Sequence, residues 1–332
     1  NVCSKEWVIR QYDHEVQGGS VIKPLMGRRC DGPSDAAVVI PKLESTKGLA
    51  ISNGINFRYG MLDPYWMAAA CIDEAIRQIV AVGGDVERIA ILDNFCWGNP
   101  DKPDRLGSMV RAAEGCYKAA KAFGVPFISG KDSLYNEFTL GKKSIAIPGT
   151  LLISALGIVD DVTKCVTMDF KRWGNKVYIV GETYDELGGS IYLDTCKKQL
   201  GDKVPRVDFR TALKSYKALN KAVKKGWIAS MHDCSEGGLA VAAAEMAFAA
   251  RLGCELDLKK VICKERRKTN DMILFSESTS RILVEIAPEN EKSFTEIMKG
   301  NRIAEIGEVK RDPDFVVTGL DGKQCIKANV HE

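Results

Sequence analysis

No two cysteines in this chain are spaced as C-x-x-C, so the sequence encodes neither a zinc ribbon nor a dithiol redox motif. The eleven cysteines are an odd number, scattered from Cys3 to Cys325. They read as reduced thiols of a cytoplasmic protein, several acting as small apolar residues. No run of eighteen apolar residues occurs, and no α-helical membrane span or signal peptide is expected. Charge of one sign is lacking too. The 47 basic residues are nearly matched by 44 acidic ones, leaving +3, which argues against nucleic acid or an anionic membrane as partner. The densest basic stretch, Lys264 to Lys268, is interrupted by Glu265 and reads as a solvated loop.

What is present fits a globular protein. Over 332 residues, 45% are hydrophobic and 27% charged, and this length favours two domains. The chain opens on Asn1 rather than Met, and its first residues already read as structured, which points to a piece excised from a longer polypeptide.

Apolar patterning predicts strands at 36–40 and 48–52, then a helix opened by Asp63-Pro64 and closed before Gly83-Gly84. A buried strand at 88–92, a helix over 104–123, a strand at 125–129 and one or two strands over 145–159 follow. Together they predict an α/β domain with helices on one face of a sheet. A boundary falls near 160–175. Beyond it the pattern predicts strands at 176–180, 228–231, 253–256, 281–286, 303–309 and 315–317, with helices at 209–225 and 236–250.

Five segments could carry chemistry. In Met231-His232-Asp233-Cys234-Ser235-Glu236-Gly237-Gly238, a strand ends in polar residues and two glycines open a helix. Asp233 could hold a hard cation, and Ser235 with the helix amides could face a phosphate; either could equally be an N-cap. Gly130-Lys131-Asp132-Ser133 follows a strand. There the glycine permits close approach, Lys131 offers a charge to phosphate and Asp132 an oxygen to Mg²⁺; a plain polar turn is the alternative. It lacks the Walker A spacing. Glu74 and Gln78 share a helix face and offer oxygen ligands, or are simply solvated. Asp35, in the loop Gly32 to Val38, is a ligand or a turn residue, and Asp93 to Pro100 is a polar loop suited to binding or to Asx turns. Shared position links Asp35, Asp93, Lys131, Asp132 and Asp233: each lies at or near a predicted strand end. Carboxylates with basic and glycine residues there suit Mg²⁺ and phosphate. They do not suit a Ser-His-Asp triad, redox chemistry or zinc.

These segments, with Trp7 to His14, Asp63 to Val82, Gly130 to Phe138, Leu187 to Ser190 and His232 to Phe248, closely resemble the phosphoribosylformylglycinamidine synthase family along essentially the whole chain. The resemblance implies an α/β (α+β) architecture: a PurM-like N-terminal α/β domain with an N-terminal extension over residues 1–165, then a PurM-like C-terminal domain over 166–332. It further implies an ATP-dependent carbon–nitrogen ligase of purine biosynthesis, this chain matching the second half of the synthetase region and carrying a Mg²⁺ and ATP/ADP site. By the same resemblance Asp35, Glu74 and Asp233 match metal ligands, and Gln78 stands where the family has Asn. Ser34 and Ser235 match nucleotide contacts, as do Asp93 and Gly130, while Ser133 matches a substrate contact. Lys131 replaces an Asn metal ligand and is expected to partner phosphate. No catalytic base is assigned to His14 or His232, and no glutaminase motif is present, so ammonia must come from elsewhere. The implied partners are the first synthetase half, a glutaminase, ATP and formylglycinamide ribonucleotide. Family members pair N-terminal domains through their sheets, so an isolated half is expected to form a homodimer. Two other readings remain: a non-catalytic scaffold holding Mg-ADP permanently, and a stand-alone PurM-like ATP-dependent enzyme.

Overall fold

The computed structural model describes residues 4–141 and 143–332. Two large sheets organise the chain. The first runs in the order Ser20–Ile22, Ala37–Val39, Gly48–Ile55, Thr150–Val159, Ile89–Cys96, Phe127–Ser133. Its pairs are antiparallel except the last, where Ile89–Cys96 and Phe127–Ser133 run parallel. Along Gly48–Ile55, Gly48, Ala50, Ser52 and Gly54 are buried, and Ile51, Asn53 and Ile55 are exposed. That period of two marks a sheet covered on one face.

The cover is the helix Pro64–Ala81. Asp63 caps its start by accepting from the amides of Tyr65 and Trp66, with Pro64 in the first turn. A helix apolar nearly all round belongs in the interior, and Met67 to Asp73 are all buried. The helix Pro103–Phe123 packs beside it and ends at Gly124, whose φ of 74° lies in the left-handed region.

The second sheet runs Ser230–Asp233, Ile282–Ile286, Lys176–Val180, Ile303–Lys310, Gly253–Asp257, Asp314–Thr318, Gln324–Asn329. Its central strands are buried on both faces. Tyr178, Val180, Ile282, Val284 and Ile286 enter one core with the helix Phe209–Lys224, while Val177, Ile179 and Leu283 enter another with the helix Gly238–Ala250. The first of these cores also contains Ile72, Ile76 and Ile79 of Pro64–Ala81, so the two sheets share a packed seam.

Several boundaries depart from the sequence reading. The strand expected at 88–92 extends to Cys96, and the one at 125–129 extends to Ser133, because parallel pairing continues from Leu92–Ser129 to Cys96–Ser133. Asp93, Lys131 and Asp132 therefore lie within strands rather than beyond their ends, and the polar-turn reading of Gly130 to Ser133 does not hold. The 145–159 stretch is two strands, Lys143–Ala146 and Thr150–Val159, split at Pro148-Gly149. The first of these forms a separate hairpin with Glu137–Leu140. The helix expected from Glu236 starts at Gly238, since Gly237 and Gly238 have φ of 79° and 62°.

Candidate functional site

Three segments distant in sequence meet at the seam: the loop bearing Ser34 and Asp35, the helix bearing Asp73, Glu74, Arg77 and Gln78, and the strand end His232-Asp233 with Ser235. Asp35 Oδ1 accepts from the Asp233 amide at 2.8 Å and lies 2.9 Å from His232 Nδ1. The other ring nitrogen of His232 is 2.9 Å from Glu245. On the opposite side of Asp233, its Oδ2 accepts from Arg77 Nε at 3.1 Å and from the Ser235 hydroxyl at 2.5 Å. Ser235 and Asp233 therefore do not cap the following helix, whose first turn has no side-chain cap. Glu277 instead accepts from the Gly237 amide, and it also takes the Ile191 amide and the Tyr59 hydroxyl.

Glu74 and Gln78 are half-buried, not solvated. Glu74 accepts from the Ile55 amide at 3.0 Å, and Gln78 receives that of Asn53 at 3.4 Å. These amides lie beyond the last residue of Gly48–Ile55 that pairs with Ala37–Val39, where the ladder leaves them open.

Burial and neighbouring charge set the protonation states. Burial pushes the Glu74 carboxyl up to about 8, against the pull of Arg77. Burial would lift Asp233 as well, but Arg77 and His232 outweigh it and hold this carboxyl below its ordinary range. Asp35 is raised by burial, with His232 opposing. Burial works against a charged His232, yet Asp35 and Glu245 raise its pKa well above the usual value.

The donors fit a hard cation. Ligand atoms of Asp35, His232 and Asp233 lie within 4.8 Å of one another. Both His232 nitrogens already lie 2.9 Å from carboxylates, which leaves carboxylate oxygens, the donors Mg²⁺ takes. The Ser34 hydroxyl is buried with no hydrogen-bond partner among the described residues. A small cavity beside them, about 20 Å³, is lined by Asn56, Glu74, Arg77, Ser235 and Glu277 among others.

The remaining predicted residues form a second group. Asp93 pairs in register with Gly130 on the two parallel strands, and its carboxylate, raised by burial, accepts from the Lys131 amide. A Cβ on Gly130 would stand 2.5 Å from Asp93 Oδ1, so any larger residue there must push the Asp93 carboxylate aside. Gly130, Lys131 and Asp132 are exposed and Ser133 half-buried, on the edge strand of the first sheet. No hydrogen bond or ion pair links this group to the seam cluster among the described residues. In the Asp93-to-Pro100 loop, Asn99 makes an Asx turn with the Asp101 amide and Trp97 is core.

Sequence reasoning missed Asp73, Arg77, Glu245 and Glu277. For the first two a signal was available. Asp73 and Arg77 are opposite charges four apart in a helical run whose other residues, apart from Glu74 and Gln78, are mostly apolar, a pattern that points to a buried pair.

Two family models match, the AIR synthase related protein N-terminal domain over residues 33–159 and the C-terminal domain over 172–319. A curated relative, the phosphoribosylformylglycinamidine synthase subunit PurL of Methanocaldococcus jannaschii, is 37% identical over 310 residues, covering 92% of this chain and 41% of that protein. The chain thus spans about two fifths of the length of this relative. Among solved structures, Thermotoga maritima PurL complexed with FGAR superposes with a TM-score of 0.74 at 20% identity, covering 92% of this chain and 48% of that one. The hydrogenase maturation protein HypE in complex with ATP gives 0.63 at 14% identity, covering 88% and 87%.

Proposed function

The chain belongs to the AIR synthase related family, in its phosphoribosylformylglycinamidine synthase PurL line, and from that premise we propose that it is the second half of a cytoplasmic synthetase with a Mg-nucleotide site at its seam. The whole enzyme would use ATP to convert formylglycinamide ribonucleotide to the amidine, with ammonia supplied by a glutaminase partner. We place the domain division at 165/166. The observation that carries this reading is the meeting of Asp35 and Asp233, from distant segments, with Arg77 reaching Asp233 from the helix that also bears Glu74.

Asp35, Asp233 and Glu74 would hold the ion, with Gln78 beside Glu74. Bound Mg²⁺ would supply charge to neutralise nucleotide phosphates. The Ser34 and Ser235 hydroxyls and the N-terminal end of the helix Gly238–Ala250 would orient those phosphates. His232, held between Asp35 and Glu245, would orient Asp35. Asp93, Gly130 and Lys131 would take a second part of the nucleotide or substrate, Lys131 as a point charge for phosphate and Ser133 as a substrate contact. The first synthetase half would cover the exposed face of the first sheet, and without it the chain is expected to dimerise there. Sedimentation showing a monomer at high concentration would count against that pairing.

Equilibrium binding of ATP and ADP with and without Mg²⁺, on wild type and Asp233→Asn, tests the site. Magnesium-dependent binding lost in the variant is expected. Equal binding by both proteins would remove Asp233 from the site. Nucleotide that co-purifies and never exchanges would favour the scaffold reading instead.

A further inference from the structure

Arg77 stands out among the buried cations because it spans both sides of the seam. Its side chain is 4% exposed. Nη1 donates to Asp73 Oδ2 at 2.5 Å, Nε to Asp233 Oδ2 at 3.1 Å and Nη2 to the Ser235 hydroxyl at 3.2 Å. One planar fork thus serves two carboxylates and a hydroxyl, a geometry that lysine cannot reproduce.

The two carboxylates differ. Asp73, fully buried, is saturated: Oδ1 accepts from the Tyr216 and Ser280 hydroxyls, and Oδ2 from the Ser280 amide and Arg77. It has no oxygen to offer a ligand and serves as the anchor of the guanidinium. In Asp233, Arg77 and Ser235 both bind Oδ2, which directs the other oxygen, Oδ1, away from the fork. Asp35 is treated in the same way, its Oδ1 engaged by His232 and the Asp233 amide.

We propose that Arg77 is a positioning residue for the cation site: anchored on Asp73, it clamps Asp233 Oδ2 and presents Oδ1 as a one-oxygen ligand for a divalent ion, while steering the Ser235 hydroxyl. This rests on the reading of the seam as a Mg-nucleotide site. Carboxylate ligands held by partners of this kind keep their orientation, and loss of such a partner elsewhere costs about 10–100-fold in metal affinity.

The test is a Mn²⁺ titration of the whole chain in the presence of ADP, with free ion read by electron paramagnetic resonance, on wild type, Arg77→Lys and Arg77→Met. Thermal unfolding in EDTA identifies which variants fold. The expected result is Mn²⁺ affinity weaker by about 10–100-fold in Arg77→Met and partly rescued in Arg77→Lys. A second variant, Ser280→Ala, loosens the Asp73 anchor without touching Asp233, and is expected to weaken Mn²⁺ by a smaller factor. Wild-type affinity in folded Arg77→Met or Arg77→Lys overturns the positioning role and leaves the site standing. Should both Arg77 variants fail to fold, unchanged affinity in Ser280→Ala overturns it. Absence of Mn²⁺ binding by wild type overturns both the site and this role.

Discussion

Two groups of predicted site residues sit in contrasting surroundings. At the seam, Asp35, Asp233 and Arg77 are buried and held by hydrogen bonds between the two halves of the fold. At the sheet edge, Gly130, Lys131 and Asp132 are exposed, and the pair Asp93–Gly130 is set mainly by strand register. A buried ionic cluster is costly unless each member is paired, so the seam couples the geometry of these side chains to stability. At the edge, the exposed side chains of Lys131 and Asp132 can change at little cost to the fold.

The largest test of this contrast is Asp73→Ala. Removing a saturated carboxylate leaves Arg77 and Tyr216 short of partners, and urea unfolding is expected to register a loss of about 3–5 kcal/mol. Gly130→Val should cost less, about 1–3 kcal/mol, since the new side chain must displace the Asp93 carboxylate; its nucleotide affinity should fall more than its stability.

A pH effect comes next. Burial pushes Glu277 and Glu186 up to about 7 each, from 4.5. The native state therefore binds more protons than the unfolded chain between those values. Stability should fall as pH rises through this window and level off above it. Glu277→Gln should flatten that slope by at most about 1.4 kcal/mol per pH unit, measured by chemical denaturation from pH 5 to 8. An unchanged slope would mean that Glu277 does not titrate there. Smallest is Lys131→Ala, expected to alter stability by no more than about 0.5 kcal/mol while weakening nucleotide at low salt. A large loss of stability would erase the contrast.

Sequence legibility followed the strength of local signals. The helix Pro64–Ala81 was plain because Asp63-Pro64 and Gly83-Gly84 mark its ends. The strands entering two cores were plain as continuous apolar runs. The helices Asn270–Phe275 and Glu291–Ile297 were missed because two turns hardly show a period. Gln324–Asn329, an edge strand with little buried surface, lacks an apolar alternation to read. Extension of the edge strand through Lys131 and Asp132 was hidden because its polar residues face solvent. Asp35, Glu74 and Asp233 were each candidates from their segments, but they were grouped as one ligand set only through family resemblance, since any convergence depends on how the two sheets pack. Arg77 belongs to that same seam, and a reading of single segments could not show what it touches.

Hydrogen exchange of the chain with and without Mg-ADP tests the central claim most directly. The account predicts new protection at the amides of 34–36 and 233–238, dependent on magnesium. Protection confined to 129–133, or the same change at the seam without magnesium, would contradict it.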